Sequence, residues 1–175
     1  MGKRTADEPN EPCGASADFP EGSVEPRSGI PLLLTQLGTH SAATFGERVA
    51  ELGLTPPKVG VLRMISTRPG LSQQALAEAL DLLPSKLVTF VDELEQDGHV
   101  TRARKSRDRR VYELNTTARG DEAVERIGGI AAELDSELTG SLTSAERDRL
   151  EELLRKVATH RGLSPNVHPG YRRMS

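Results

Sequence analysis

The stretch that most constrains this chain runs from Leu71 to Gly120, where two amphipathic helix patterns lead into a short basic hairpin. The second pattern reads Pro84-Ser85-Lys86-Leu87-Val88-Thr89-Phe90-Val91-Asp92-Glu93-Leu94-Glu95-Gln96-Asp97-Gly98. Leu87, Phe90, Val91 and Leu94 recur at helical spacing and make one apolar face. Ser85, Lys86, Val88 and Thr89 remain on the other side, near the amino-terminal end. Before it, Ser72 stands where an N-cap belongs, ahead of Gln73-Gln74-Ala75-Leu76-Ala77-Glu78-Ala79-Leu80. The two patterns, joined by Asp81-Leu82-Leu83, form a helix-turn-helix candidate.

Local charge sharpens that reading. The net charge of −3 does not point to a nucleic-acid binder. Yet between His99 and Arg110 lie six cations, Arg102, Arg104, Lys105, Arg107, Arg109 and Arg110, opposed by Asp108 alone. Acidic residues concentrate in the first 25 residues and from Asp121 to Glu152, so the basic stretch is a site on an otherwise acidic molecule. Strands are expected at Val100 to Arg104 and Arg109 to Leu114, around a tip at Lys105-Ser106-Arg107-Asp108. With no Trp, three Phe and two Tyr, the chain lacks the stacking platform of a single-strand binder. Groove reading of a duplex needs none.

The flanks are helical. A helix is expected from Ile30-Pro31 to about Leu52, with Leu34, Leu37, Phe45, Val49 and Leu52 on its apolar side. An overlapping face carries Leu33, Leu37, His40 and Thr44, with His40 read as an interface histidine. Pro56-Pro57 opens the next helix, to Thr67, apolar on nearly every side except at Arg63, which is read as one half of an ion pair. Thr116 or Thr117 caps a helix at about 117–139, with Val124, Ile127, Ala131, Leu134 and Leu138 inward. Gly128-Gly129 weakens its middle and allows a bend. Thr143-Ser144-Ala145-Glu146 is a capping-box pattern, followed by Leu150, Leu153, Leu154 and Val157 at i, i+3, i+4 and i+7. Residues 1–29 read as a disordered tail and 161–175 as a flexible basic one.

From Leu32 to about Ala158 the chain resembles the MarR family of bacterial winged-helix transcription regulators. Three segments carry the resemblance. Leu71-Ser72-Gln73-Gln74-Ala75-Leu76-Ala77 is similar to the family's first helix-turn-helix element. Pro84 to Val88, with Val91 to Gly98, is similar to its recognition helix and exit. Asp108-Arg109-Arg110, closing at Thr117-Ala118-Arg119-Gly120, resembles its wing signature. The resemblance implies a mainly α, α+β winged-helix fold, with a DNA-binding lobe at 56–116 and dimerisation helices at 30–55 and 117–160. It also implies a homodimer, on a pseudo-palindromic duplex with half-sites about 10 bp apart. The apolar surface of the flanking helices, too large for one small winged helix to cover, agrees with that.

Roles follow. Lys86 suits guanine O6 or N7, Ser85 and Thr89 suit base edges or phosphate, and Val88 suits a thymine methyl. Ser72 and Gln73, at a helix amino terminus, suit a phosphate. Arg102, Arg104, Lys105, Arg109 and Arg110 are read as phosphate and minor-groove groups, with Arg107 inserting at the tip. The resemblance implies that Asp108 pairs with Arg110 and fixes the tip. It further implies release by a small aromatic or apolar anion, for which His40, Thr44, Arg63 and Met64 are the candidate lining.

Other classes find little support. His40, His99, His160, His168 and Cys13 are scattered without metal-ligand spacing, and neither a nucleophile elbow nor a Gly-rich phosphate loop is present. No catalytic residue, metal or cofactor is expected. The rival reading is a helical protein–protein interaction module without specific DNA binding. A single cysteine excludes an internal disulfide framework, and no apolar run approaches the roughly 18 residues of a membrane helix. A cytoplasmic protein is expected.

Overall fold

Prolines and side-chain caps fix where the helices begin in this computed structural model, which describes residues 29–104 and 112–163. Helix α1 spans Ile30–Ala50 and α2 spans Pro56–Thr67, each with Pro in its first turn. Strand β1 is Leu71–Ser72, helix α3 is Gln73–Leu80 and α4 is Pro84–Gln96. Strands β2 (Val100–Arg104) and β3 (Tyr112–Thr116) precede α5 (Ala118–Leu138) and α6 (Ser144–His160). The mainly α, winged-helix architecture expected from the sequence is present.

Ser72 caps α3 by accepting the Ala75 N–H at 3.2 Å. Of the two threonines proposed to cap α5, Thr117 does so, accepting from the Gly120 N–H at 3.0 Å. Its hydroxyl also donates to the Gly98 carbonyl at 2.7 Å, which ties the end of α4 to the start of α5. Gly120 is required by close approach, since a Cβ there would lie 2.1 Å from the His99 carbonyl oxygen. Gly98 ends α4 at φ 76°, a conformation that costs glycine little. The Thr-x-x-Gly signature is thus a joint between the exit of α4 and the start of α5.

The sheet differs from expectation in two ways. Its order is β1-β3-β2, all antiparallel, and the two-residue β1 was not anticipated. Such a strand has no period to detect; it forms because Leu71 and Ser72 pair with Leu114 and Glu113. Strand β3 runs on to Thr116 rather than ending at Leu114, because Val100 pairs with Thr116. Residues 109–111 of the expected strand lie outside the described residues.

The core gathers Val59, Val61, Leu62 and Ile65 of α2, Leu76 and Leu80 of α3, Leu87, Val91 and Leu94 of α4, Val100 and Leu114 of the sheet, and Ile127 of α5. Helix α2 is central, as its all-round apolarity required. Helix α5 turns Ala123, Ile127 and Leu134 inward, with Val124 and Ile130 packed beside them. Ala131 and Leu138, expected to face inward, are exposed in the single chain. The helix passes through Gly128-Gly129 as one continuous element. Helix α6 opens with the expected capping box but buries none of its residues.

Candidate nucleic-acid interface

Helix α4 presents its amino-terminal half outward. Leu87, Val91 and Leu94 fasten it to the core, and Ser85, Lys86, Val88 and Thr89 are all exposed. At the N-cap position Leu83 has no side-chain acceptor, so no side chain satisfies the first backbone N–H groups of the helix. Ser85 and Lys86, which carry them, are exposed, a combination suited to phosphate or base acceptors. Thr89 donates its hydroxyl to the Ser85 carbonyl at 3.2 Å, which leaves the Oγ1 lone pairs available.

The remaining half of α4 is acidic, and its charge is fully engaged. Arg102 on β2 pairs with both Asp92 and Glu95, and its backbone N–H also donates to Glu95 at 3.2 Å. On the opposite flank Lys58 of α2 pairs with Glu93 at 2.8 Å and Asp97 at 3.6 Å. The hydrogen bond to Glu93 and the attraction of Glu93 and Asp97 raise the Lys58 pKa above the ordinary lysine value, against the lowering effect of burial. Side-chain exposure is only 17% for Arg102 and 13% for Lys58, so both cations are packed between elements.

Arg102 therefore departs from its expected place among the free phosphate-facing groups of the hairpin. Two carboxylates already occupy its guanidinium. Arg104 ends β2, opposite Tyr112. Lys105, Arg107, Asp108, Arg109 and Arg110 lie outside the described residues, as does Cys13. Ser72 and Gln73 are half-buried at the start of α3, with the Ser72 hydroxyl committed to its cap. A cleft between α3 and α4 is lined by Gln73, Gln74, Ala77, Leu82, Pro84 and Val88, among others. Neighbouring α3 and α4 thus share an open, largely apolar trough beside the exposed residues.

The pairing of Lys58 with Glu93 and Asp97, and of Arg102 with Asp92 and Glu95, was not foreseen from the sequence, which reads Asp92 and Glu93 only as carried away from phosphates by the tilt of the helix. One signal was available. Carboxylates near a helix carboxyl terminus oppose its dipole, by about 0.3–1 kcal/mol each, and α4 has no basic residue in its last turn. Such a helix must find cations on other elements.

The four candidate ligand residues are less concentrated. His40 is exposed on α1, and Thr44, half-buried, donates to the His40 carbonyl at 3.1 Å. Met64 packs at the edge of the core. Arg63 is exposed and, contrary to the ion pair expected for it, meets no carboxylate among the described residues. None of the four lines the cleft between α3 and α4 or the one between α1 and α5. The described residues hold no group of His, Cys, Asp or Glu that could bind a metal, and no helix among them is long and apolar enough to cross a membrane.

Comparison with known proteins accords with this architecture. A family model described as MarR family matches residues 54–112. A putative transcriptional regulatory protein for the hcr operon of Thauera aromatica is 39% identical over 105 residues. That match covers 60% of this chain and 63% of the relative, so the chain spans just under two thirds of that protein's length. The transcriptional regulator HosA of Escherichia coli is 31% identical over 124 residues, 71% of this chain and 90% of HosA. The MarR family protein Rv2887 of Mycobacterium tuberculosis, solved in complex with DNA, superposes with a TM-score of 0.63 at 27% identity, covering 74% of this chain and 98% of that one. The same protein in complex with salicylic acid gives 0.60 at 28% identity, with 74% and 96% covered. By its fold, by the joint its signature residues build and by these relatives, the chain belongs to the MarR family.

Proposed function

We propose that this protein is a homodimeric transcriptional repressor that binds a pseudo-palindromic duplex operator and lets go when a small ligand binds. The observation that carries the reading is the division of α4. Its amino-terminal half leaves Ser85, Lys86, Val88 and Thr89 open, while every carboxylate of its other half is held by a cation. Lys86 then serves as the base-reading cation, with Ser85, Val88 and Thr89 beside it. Ser72 and Gln73, with Arg104, Lys105, Arg107, Arg109 and Arg110 from the basic run, serve phosphates and the minor groove.

The second copy covers α1 and α6. Leu32, Leu33, Leu34 and Leu37 of α1 are 43–51% exposed, as are Leu150, Leu153, Leu154 and Val157 of α6, at 40–53%. An apolar face of that extent marks an interface. Release by ligand is supported by Rv2887, which has been solved with salicylic acid as well as with DNA. Here a small aromatic or apolar anion would bind near His40, Thr44, Arg63 and Met64, in a site completed by the dimer. The protein acts in the cytoplasm and carries out no catalysis.

The test is fluorescence anisotropy on the duplex upstream of the protein's own gene, with an unrelated duplex as control, at several salt concentrations. A duplex-specific affinity whose logarithm falls steeply with log salt is the expected result. Equal, weak binding to both duplexes, unchanged after bound ligand is stripped and further duplexes are tried, would remove the repressor reading. The helical interaction module would then stand in its place.

A further inference from the structure

Building on the operator-binding reading, we propose that Arg102 is a positioning residue for DNA recognition, acting through Asp92 and Glu95 of α4 rather than on a phosphate. Three observations carry this. First, the guanidinium bridges two carboxylates one turn apart on α4, and the Arg102 backbone N–H adds a third link to Glu95. Arg102 itself sits on β2, opposite Leu114 of β3, so the bridge joins the recognition helix to the wing strands. Secondly, the side chain is largely covered, which a group reaching for DNA phosphates is not. Thirdly, the arrangement is matched on the opposite flank, where Lys58 bridges Glu93 and Asp97. The recognition helix is therefore held from both sides by cations that each span two of its acids.

The pairing has an electrostatic consequence. Asp92 is only three residues past Thr89, about 4.5 Å along the helix axis. An uncompensated carboxylate there lies within the Debye length of about 8 Å from a phosphate met at Thr89. Arg102 reduces that repulsion and at the same time fixes the angle between helix and wing. Both effects pass through the two acids, so Arg102 has no role left once the acids are gone.

This gives a thermodynamic cycle as the test. The probe is the duplex that full-length wild-type protein recovers from a random pool, and affinity is read by anisotropy across a salt series. The variants are Arg102→Met, which keeps the aliphatic stem, Asp92→Asn/Glu95→Gln, and the three changes together. Expected is a loss of about tenfold for Arg102→Met in the wild-type background and none in the acid-free background. In the acid-free background the slope of log affinity against log salt should be the same with and without Arg102.

A loss of equal size in both backgrounds, with the slope falling by about 0.9, is the signature of a lost phosphate contact and overturns the proposal. So does wild-type affinity in Arg102→Met. If that variant fails to fold, the combined variant still decides, because it leaves no uncompensated acid. Preference for the selected duplex over a scrambled one, read in the same titrations, reports on the repressor reading independently.

Discussion

Leu62, Leu76, Leu87 and Leu94 of the central lobe are each at most 1% exposed, whereas Leu150, Leu153 and Leu154 of α6 are 40–44% exposed. Both sets sit at helical spacing, and both are leucines. What differs is what stands opposite. Helices α2, α3 and α4 face one another and the sheet, so their apolar sides close within one chain. Helix α6 has hardly any contact with the rest of its own chain, and α1 contributes only Val49 to the buried core. One region is a finished core and the other is half of one. An amphipathic pattern therefore reports that a face will be buried, not which molecule will bury it.

The largest expected effect comes from breaking the open region. Leu153→Asp with Leu154→Asp places two charges on the face that needs a partner. Sedimentation should show a monomer, and affinity for a two-half-site duplex should fall by about 100-fold or more, because the second contact is no longer tethered to the first. A dimer that persists would assign the α6 face to something other than a second copy. The closed region answers differently. Leu76→Ala should lower the unfolding free energy by about 2–5 kcal/mol through the cavity it leaves among α3, α4 and the sheet, measured by denaturant titration.

Val88 sharpens the comparison further, being as exposed as the α6 leucines, at 41%, but placed on α4 beside Lys86. If it waits for DNA rather than for protein, Val88→Ala leaves the dimer intact. Affinity then drops by about threefold to fivefold, the worth of one buried methyl, on a thymine-containing operator. The drop should vanish when deoxyuridine replaces the thymine it meets. An equal drop on both duplexes would mean that Val88 touches something else.

Local chemistry made much of this legible. The helices α2, α3 and α4 and the capping box of α6 were readable because Pro56, Ser72, Pro84 and Thr143 act within a few residues of the ends they set. The exposed face of the first half of α4 was legible for the same reason, since it is what remains once Leu87, Val91 and Leu94 turn inward. The clamp was not. Lys58 and Arg102 find their carboxylates across elements, at separations that no helical or strand period marks. A run of cations in the sequence could not say which member would turn back toward the protein. The inner face of α5 was misplaced by the same limit: Ala131 and Leu138 share a helical stripe with Ile127 and Leu134, but α1 and α2 cover only part of that stripe in one chain.

The smallest expected effect tests whether α6, lacking a core of its own, depends on local interactions. Its start is held by Thr143, whose backbone N–H and hydroxyl both donate to Glu146, at 2.9 Å and 2.8 Å. The backbone bond first, and the hydroxyl second, lower the Glu146 pKa below the usual carboxylate value. A depressed carboxylate pKa stabilises the fold above the unfolded-state pKa, and that contribution disappears as pH falls through the folded-state one. Glu146→Ala should therefore lower Tm by about 2 °C at neutral pH. The gap from wild type should close on acidification below about pH 4, where the unfolded chain's carboxylates take up protons. A gap that stays constant with pH would show that the loss does not come from the Glu146 charge, since the Glu146 N–H bond to the Thr143 hydroxyl, at 3.4 Å, is kept in the variant. Were no gap seen at neutral pH either, the Glu146 carboxylate would contribute nothing to α6, and its start would rest on the Thr143 hydroxyl and on assembly.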